Sequence, residues 1–344
     1  MLKRLFLKLL LIASPVLALL LLYVWKDPFK VLYHYDAYFN AKDSTTTISY
    51  NADMVATRTF KQNNPKYHYN AYILGGSRSG HYRAAEWIKH LRPGASPYHF
   101  NANSENLYGI YNKLRYLDQC GADIQHVLIV VDPNLLAGTT NRKEYLTIKT
   151  PEISGQNMLA YQLTFVKAFF DREFLPAYID YQLTGLVKPY MARYGVMHRT
   201  YIYYDARYNE TIQKSLNDSL FYAHDRYYQK IKHKFFTRPA RQQTAQPSIQ
   251  AEQLRMLTEM RNILQKHHAE WKIIVSPLYD QLKISADDMA KLCTLFGQEN
   301  VFDFSGINEI TANKYNYYEN SHYLPEVATR LMDSVYHANG SMAR

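Results

Sequence analysis

Short apolar runs along the chain predict a set of buried strands. Residues 126–131, HVLIVV, form a continuous run rich in β-branched residues, which is typical of a strand buried on both faces. Residues 69–74, 97–101, 271–276 and 300–304 are further short runs of this kind. Five strands are therefore expected in the chain.

Segments with helical periodicity separate these runs. Apolar residues recur at helical spacing in residues 81–91, 106–117, 251–267 and 286–296. A last helix is expected from Pro325, because proline suits the first turn of a helix. Strands that alternate with helices pair in parallel through right-handed crossovers. The sequence therefore predicts an α/β fold, a three-layer flavodoxin-like sandwich around a five-stranded parallel sheet.

Two stretches depart from this alternation. Residues 30–66 form a tyrosine-rich connector, and residues 151–236 are aromatic and helix-like without a clear strand. Residues 237–250 follow as a polar segment with two prolines, which is typical of an exposed loop. We therefore expect a helical insertion at about 151–250.

A long apolar run near the amino terminus predicts a membrane span. Residues 5–25 contain one charged residue, Lys8, and a helix that rises ~1.5 Å per residue crosses a ~30 Å hydrocarbon core at this length. The small residues Ala13, Ser14 and Ala18 leave a cleaved signal peptide open as the alternative. The leucine-rich run after Ala18 favours a retained anchor.

The charges around this run indicate its orientation. Lys3 and Arg4 precede it and two lysines follow it, so the positive-inside rule favours a cytoplasmic amino terminus. The expected organisation is therefore a single-pass anchor at 1–30 and an extracytoplasmic domain at 31–344.

Composition adds two constraints. The 40 Lys and Arg against 30 Asp and Glu give a net charge of +10, which attracts anionic partners such as phospholipid headgroups, acidic polysaccharide or nucleic acid. The sequence shows no zinc-finger spacing, RNP-like aromatic string or strongly basic helix, which disfavours nucleic acid. Cys120 and Cys293 are too few for a disulfide scaffold, so we expect buried thiols and leave a disulfide between them open.

The first predicted strand ends in a turn that can present a nucleophile. The residues GGSR at 75–78 directly follow that strand, so the Ser77 hydroxyl would lie beside unsatisfied helix N–H groups that can hold an oxyanion. A serine at this position can equally be a helix N-cap. The glycine spacing also suits a phosphate-binding loop, but His81 and Tyr82 stand where Lys and Ser or Thr would be needed.

A histidine near the other end of the chain can serve as the base for this serine. Residues 317–323, YYENSHY, lie after the last predicted strand. Glu319 precedes His322 by three residues, so its carboxylate can orient the ring and stabilise the imidazolium that forms when His322 takes a proton. The same E-x-x-H spacing occurs in di-iron sites, but the sequence holds no second copy. An ordinary polar loop residue is the alternative for His322.

Together these motifs resemble blocks I and V of the SGNH/GDSL hydrolase superfamily. Gly-Gly-Ser stands here for Gly-Asp-Ser, and Glu319 stands where the family has Asp. Residues 321–327, SHYLPEV, are similar to the corresponding motif in membrane-anchored branches of this superfamily, which accompany envelope O-acylation systems. The resemblance covers about residues 69–336. It implies Ser77 as nucleophile, His322 as base and Glu319 as its orienting residue, in a bacterial inner-membrane protein with its bulk in the periplasm.

The resemblance also implies oxyanion donors from the middle of the chain. Asn103 and Asn134 follow the second and third predicted strands. The Gly that the family has in block II and its Gly-x-Asn-Asp motif in block III are not evident here. Together with the Ser77 N–H, they are the candidate donors. Both asparagines are equally suited to turns that cap helices.

The implied activity is that of a serine-dependent O-acyl esterase or acyltransferase, which removes or moves a small acyl group such as acetyl on an envelope polysaccharide or other surface glycan. No metal or organic cofactor is required. The expected partners are an acylated polysaccharide or small acyl ester, the membrane through the amino-terminal helix, and a membrane-bound O-acyltransferase. A noncatalytic anchored accessory protein that binds polysaccharide or that acyltransferase is the alternative, and a purely structural envelope protein is a third possibility.

Overall fold

The computed structural model describes residues 2–39, 44–193, 197–213, 216, 219–221 and 223–337. The strands are β1 Ser44–Ile48, β2 Ala71–Gly75, β3 Pro97–Asn101, β4 His126–Val131, β5 Met197–Asp205, β6 Glu210–Gln213, β7 Gln243–Thr244, β8 Glu270–Val275, β9 Leu282–Lys283, β10 Val301–Asp303, β11 Tyr317–Glu319 and β12 His322–Tyr323. The first helices are α1 Leu2–Lys26, α2 Ala52–Tyr67, α3 Ala84–Trp87, α4 Leu107–Gln119, α5 Pro133–Ala137, α6 Pro151–Ser154, α7 Met158–Phe169, α8 Phe174–Thr184 and α9 Pro189–Arg193. The later helices are His224–Ile231, Ala251–Lys266, Ala286–Phe296, Glu309–Ala312 and Pro325–His337.

Five of these strands form a parallel sheet, which confirms the predicted α/β class. The order is β3-β2-β4-β8-β10, and every neighbouring pair is parallel. The order reverses between β2 and β4, so the segments that leave these two strands diverge and open a crevice at the carboxyl end of the sheet. All five residues of β2 are buried, as its sequence AYILG requires.

Helices cover both faces of this sheet. Tyr72 and Leu74 of β2 belong to a core with α2, α4 and the helices Ala251–Lys266 and Ala286–Phe296. Ala71 and Ile73 point the other way, into a core with the final helix. The alternation of buried residues along one strand therefore supplies both layers.

A second, smaller sheet lies beside the first. Strand β5 pairs antiparallel with β1 on one side and with β6 on the other. The helices α7 and α8 form where an insertion was expected, but β5 and β6 lie in the same stretch, so the prediction that it lacks strands is wrong. The sequence of β5, MHRTYIYYD, suits a strand as well as a helix, and its pairing with distant β1 decides between them. The connector likewise holds β1 and α2.

The carboxyl end of α1 packs on the helices of this second region. The Tyr23 ring lies 5.2 Å from that of Phe169 in α7, and the buried Phe29 ring lies 4.8 Å from that of Phe174 in α8. These contacts belong to one apolar core that also includes residues of β1 and β5. The amino-terminal segment therefore packs against the small sheet and its neighbouring helices.

The helix expected at 81–91 is broken into three short pieces. A 3₁₀ turn spans Ser77–His81, α3 spans only Ala84–Trp87, and a second 3₁₀ turn spans Ile88–His90. The first N–H of α3, from Ala84, donates to the Glu210 carboxylate of β6 at 2.7 Å. The Glu210 side chain, far away in the sequence, therefore fixes the start of α3. Local periodicity cannot reveal such a contact.

Among the described residues, we find no helix that is both long enough and apolar enough to cross a membrane. The predicted span lies on α1, and the side chains of residues 2–12 fall outside the described part of the chain. The anchor therefore stays a prediction.

Both cysteines are free thiols. Cys293 is partly buried, whereas Cys120 is exposed, so the expected burial is wrong for Cys120. Cys120 lies just beyond the end of α4, where its thiol donates to the Leu117 carbonyl at 3.4 Å.

Candidate active site

Strand β2 leads directly into the turn that carries Ser77. Gly75 ends the strand, and a Cβ there would lie 2.7 Å from Ser79 Cβ and 3.1 Å from the Val130 carbonyl oxygen, so a side chain would collide. Ser79 then closes the turn by donating its N–H and its hydroxyl to the Gly76 carbonyl, at 2.9 and 2.7 Å. The first N–H groups of such a turn have no partner within it. Ser77 is therefore presented beside free backbone donors.

A two-stranded hairpin places Glu319 opposite His322. Strands β11 and β12 pair antiparallel with these two residues in register, where a plain loop was expected. Glu319 Oε1 accepts a hydrogen bond from His322 Nδ1, and Oε2 accepts one from the Ser321 N–H at 3.1 Å. Because a carboxylate only accepts hydrogen bonds, the ring proton lies on Nδ1 and Nε2 is free to accept.

Ser77 and His322 meet although 245 residues separate them. His322 Nε2 lies 2.7 Å from Ser77 Oγ, so the hydroxyl donates to the nitrogen that carries no proton. The Tyr318 ring stacks on the His322 imidazole with an angle of 7° between the two ring planes, and this stacking limits tilting of the imidazole. Serine, imidazole and the Glu319 carboxylate thus form one hydrogen-bonded chain, the arrangement in which a histidine takes a serine proton.

Arg78 ties the nucleophile turn to the histidine hairpin. Its Nε donates to the Ser321 carbonyl at 2.9 Å, and its Nη1 pairs with Asp132 Oδ2 at 2.6 Å. Asp132 follows β4 and accepts bonds from the N–H groups of Asn134 and Leu135. One guanidinium therefore joins the ends of β2 and β4 to the loop before His322, a role that the sequence analysis did not assign.

Arg78→Ala is expected to lower kcat on a simple acyl ester by about 10²-fold with little change in KM, because a ~1 Å displacement of a reacting group costs about that much. Arg78→Lys keeps a charge opposite Asp132 but not the fork that reaches Ser321, so an intermediate loss is expected. Steady-state kinetics check this. The control Arg172→Ala, which removes an exposed arginine between α7 and α8 that pairs with Glu173 at 3.8 Å, should stay within about threefold. A wild-type kcat in Arg78→Ala would show that the hairpin holds its position unaided.

Three amide side chains lie around the nucleophile. Asn103 is exposed and lines a cavity that Ser77 and His322 also line. Asn134 is exposed and lines a separate, smaller cavity that also reaches Ser77. Asn101, at the end of β3, lines the first cavity, and its buried side-chain oxygen has no hydrogen-bond partner among the described residues. The two candidate oxyanion donors therefore line different cavities beside the serine, and Asn101 is a third amide, which the sequence motifs did not indicate.

The larger cavity has a volume of about 370 Å³, within the usual range for a small-molecule site. The parallel sheet contributes Ser77 and its neighbours on one side. On the other side, Ile48 of β1 and Ile202 and Tyr204 of β5 form the wall. The candidate site therefore lies between the two sheets.

A set of buried polar and charged contacts joins the nucleophile turn to the β5–β6 hairpin. His99 Nε2 lies 2.9 Å from Ser79 Oγ. Because the Ser79 hydroxyl proton goes to the Gly76 carbonyl, His99 donates from Nε2. His99 Nδ1 faces the Glu210 carboxyl at 4.0 Å, and Arg83 lies 3.7 Å from the same carboxyl. Glu210 therefore links the hairpin to the turn.

Glu210→Gln is expected to change the pH dependence of stability. Burial raises the pKa of the Glu210 carboxyl to about 7 from its ordinary 4.5, and the bonds from Ala84 and Arg83 only partly oppose this. Between these two pKa values the folded chain keeps a proton that the unfolded chain releases. The contribution of Glu210 to the free energy of unfolding is therefore fully present below about pH 4.5 and is lost as the pH rises through 7. Between about pH 4 and pH 8, the variant should gain on the order of 2 kcal/mol of unfolding free energy relative to wild type.

Urea titrations at the two pH values measure this difference. Burial lowers the pKa values of His81 and His99 to about 3, so these side chains add a pH dependence of their own, and the variant is compared with wild type at each pH. A difference between variant and wild type that does not vary with pH would contradict the assignment.

Four buried charges lie behind the nucleophile turn. Lys113 Nζ lies 2.7 Å from Asp53 Oδ1 and 2.6 Å from Glu105 Oε2, and Lys149 Nζ lies 3.3 and 2.8 Å from the same two carboxylates. Burial alone would raise the pKa of the Glu105 carboxyl, but the two lysines outweigh burial and hold it at about 2. A Cβ on Gly76 would lie 3.4 Å from Glu105 Cβ, so this ion cluster supports the turn from behind.

Among the described residues, no three His, Cys, Asp or Glu side chains come together as a metal-ion site would need. Comparison with known proteins yields no family for this chain, since no protein-family model matches it and no curated protein does. Its function is therefore inferred from the chemistry of the site.

Proposed function

We propose that the protein is a serine-dependent O-acyl esterase or acyltransferase of the SGNH/GDSL type that acts on an envelope polysaccharide or another cell-surface glycan. The observation that carries this proposal is the hydrogen-bonded chain from Ser77 through His322 to Glu319. The order of the parallel sheet supports the assignment, because it opens a crevice where β2 ends and Ser77 begins the turn.

The geometry supports acyl transfer in two steps. Ser77 Oγ attacks the ester carbonyl carbon while its proton passes to His322 Nε2, and Glu319 stabilises the imidazolium. The oxyanion forms beside the N–H groups of the turn, with Asn103 or Asn134 as further donors. The ester C–O bond then breaks, and His322 returns the proton to the departing alcohol. Water or a second sugar hydroxyl then attacks the acyl carbon and gives its proton to His322. The bond from that carbon to Ser77 Oγ breaks, and His322 returns the proton to Ser77 Oγ.

A noncatalytic accessory protein is the second candidate. The observation that favours it is the placement of Asn103 and Asn134 in separate cavities, because a missing oxyanion donor costs about 10²–10³-fold in kcat. In this role the chain would bind polysaccharide or a membrane-bound O-acyltransferase and form no acyl-enzyme.

The proposal includes a location. The apolar run at 5–25 supports a single-pass anchor in a bacterial inner membrane, with the bulk of the chain in the periplasm. The net charge of +10 suits an acidic polysaccharide or anionic headgroups as neighbours.

Active-site labelling of the full-length protein tests the enzymatic proposal. A fluorophosphonate probe should label wild type covalently, and mass spectrometry of the labelled peptide should place the adduct on Ser77. Wild type should also hydrolyse a simple acetyl ester. Protein that neither labels nor hydrolyses, yet binds polysaccharide, would favour the accessory role.

A further inference from the structure

On the side that the small sheet and its neighbouring segments form, the cavity at Ser77 is lined by apolar side chains together with Ser49, Asn209 and Thr211. The apolar side chains there are Phe39, Ile48, Tyr50, Val55, Ile202 and Tyr204. None of them belongs to the five-stranded sheet, whose turns carry Ser77 and its neighbours. The part of the substrate that lies beside Ser77 therefore contacts side chains from outside the five-stranded sheet.

Aromatic rings form a continuous part of this wall. The ring centroid of Phe39 lies 4.8 Å from that of Tyr204 and 5.5 Å from that of Tyr50. Rings packed against each other in this way present carbon surface with little freedom to rearrange. Ile202, two residues before Tyr204, lies on the same side of β5 and extends this surface.

Two of the polar side chains on this wall, Tyr204 and Asn209, already have protein partners. The Tyr204 hydroxyl donates to Asn209 Oδ1 at 2.8 Å, and Asn209 Nδ2 donates to the His99 carbonyl at 2.8 Å. Arg83 donates to the Thr211 carbonyl at 3.3 Å and pairs with Glu210. A sugar ring packed against the Phe39 and Tyr204 rings would leave hydroxyl groups without matching partners, at a cost in binding, whereas a hydrocarbon chain needs none.

The cavity is also much larger than an acetyl group requires. A single water molecule needs about 10–15 Å³ of comparable space, and the volume here is about 370 Å³. An acetyl ester held at Ser77 would leave most of the apolar wall in contact with water.

We propose that this cavity binds the acyl part of the substrate and accepts a linear acyl chain several methylenes longer than acetyl. This inference rests on the proposed function, since the chain is joined to the carbonyl that Ser77 attacks. It narrows the substrate class to medium-chain acyl esters, where the sequence suggested a small group such as acetyl. Ile202 and Tyr204 are the specificity-determining residues.

A series of p-nitrophenyl esters from acetate to decanoate, given to the full-length protein, tests this. The leaving group is constant, so only the acyl chain changes. Wild-type kcat/KM should rise by roughly fourfold per methylene, from acetate at least as far as hexanoate. A wild type that prefers acetate and loses rate with every added methylene would overturn the proposal.

Ile202→Trp fills the cavity from β5. We expect it to lower kcat/KM on octanoate by at least about tenfold while acetate changes by less than about twofold. Tyr203→Trp is the matched control, because Tyr203 is 49% exposed on the opposite side of the same strand, and the octanoate-to-acetate ratio should stay that of wild type. An equal loss on all esters, or no loss, in Ile202→Trp would refute the acyl assignment.

A small fluorophosphonate separates this inference from the proposed function. Tyr203→Trp should react with it at the wild-type rate, and the rate of Ile202→Trp, measured beside it, distinguishes a loss confined to long acyl chains from damage to the serine and its base. Wild type that neither reacts with the probe nor hydrolyses any ester of the series would instead refute the enzymatic proposal.

Discussion

Ser77→Ala should lower kcat/KM on the preferred ester by about 10⁴-fold or more and should abolish fluorophosphonate labelling. The Ser77 hydroxyl donates to His322 Nε2, the ring nitrogen left without a proton by the bond to Glu319. Its removal leaves only substrate binding and the backbone donors of the turn to assist the reaction. Ester hydrolysis and gel-based labelling measure the two effects.

Ser334→Ala is the control, because Ser334 is an exposed serine on the final helix and does not line the cavity at Ser77. It should keep its labelling and a rate within about threefold of wild type. His322→Ala should lose about as much rate as Ser77→Ala, and the double variant should lose no more, since the two residues act as a unit. Losses that add in the double variant would mean that they do not act through one hydrogen-bonded chain.

Lys113→Met should lower the free energy of unfolding by about 3–5 kcal/mol. Lys113 is fully buried and contacts Asp53 and Glu105, which are as deeply buried. Without it, two carboxylates share Lys149 alone, and one negative charge stays buried without compensation. Chemical unfolding in urea, with intact wild type as reference, measures the loss.

Lys89→Met is the control for this variant. Lys89 pairs with Glu86 at the surface, with 63% of its side chain exposed, and such pairs contribute about 0–1 kcal/mol. Adding Glu105→Gln to Lys113→Met removes the uncompensated charge and should recover part of the stability. A loss below about 1 kcal/mol in Lys113→Met would show that water reaches the cluster in solution.

Local sequence patterns were sufficient to predict the strands and helices whose composition is set by their burial in the layers of the parallel sheet. The predicted bounds 97–101, 126–131 and 286–296 coincide with β3, β4 and the helix Ala286–Phe296. A strand covered on both faces must be apolar throughout, and a helix on a sheet shows its buried side in its period. The same reasoning missed α2, whose sequence is mostly polar, and the β5–β6 hairpin, whose first strand is aromatic and compatible with either state.

The candidate site divides in the same way. Periodicity and glycine placement already put Ser77 at the carboxyl end of a strand, and spacing already put Glu319 three residues before His322. Folding in three dimensions was needed to bring the two ends of the chain into contact, to lay Arg78 across both and to close the cavity with β1 and β5. The physical reason is that a residue pattern reflects whether its own segment is buried, whereas these contacts join segments far apart in the chain, and nothing local records which distant surface they meet.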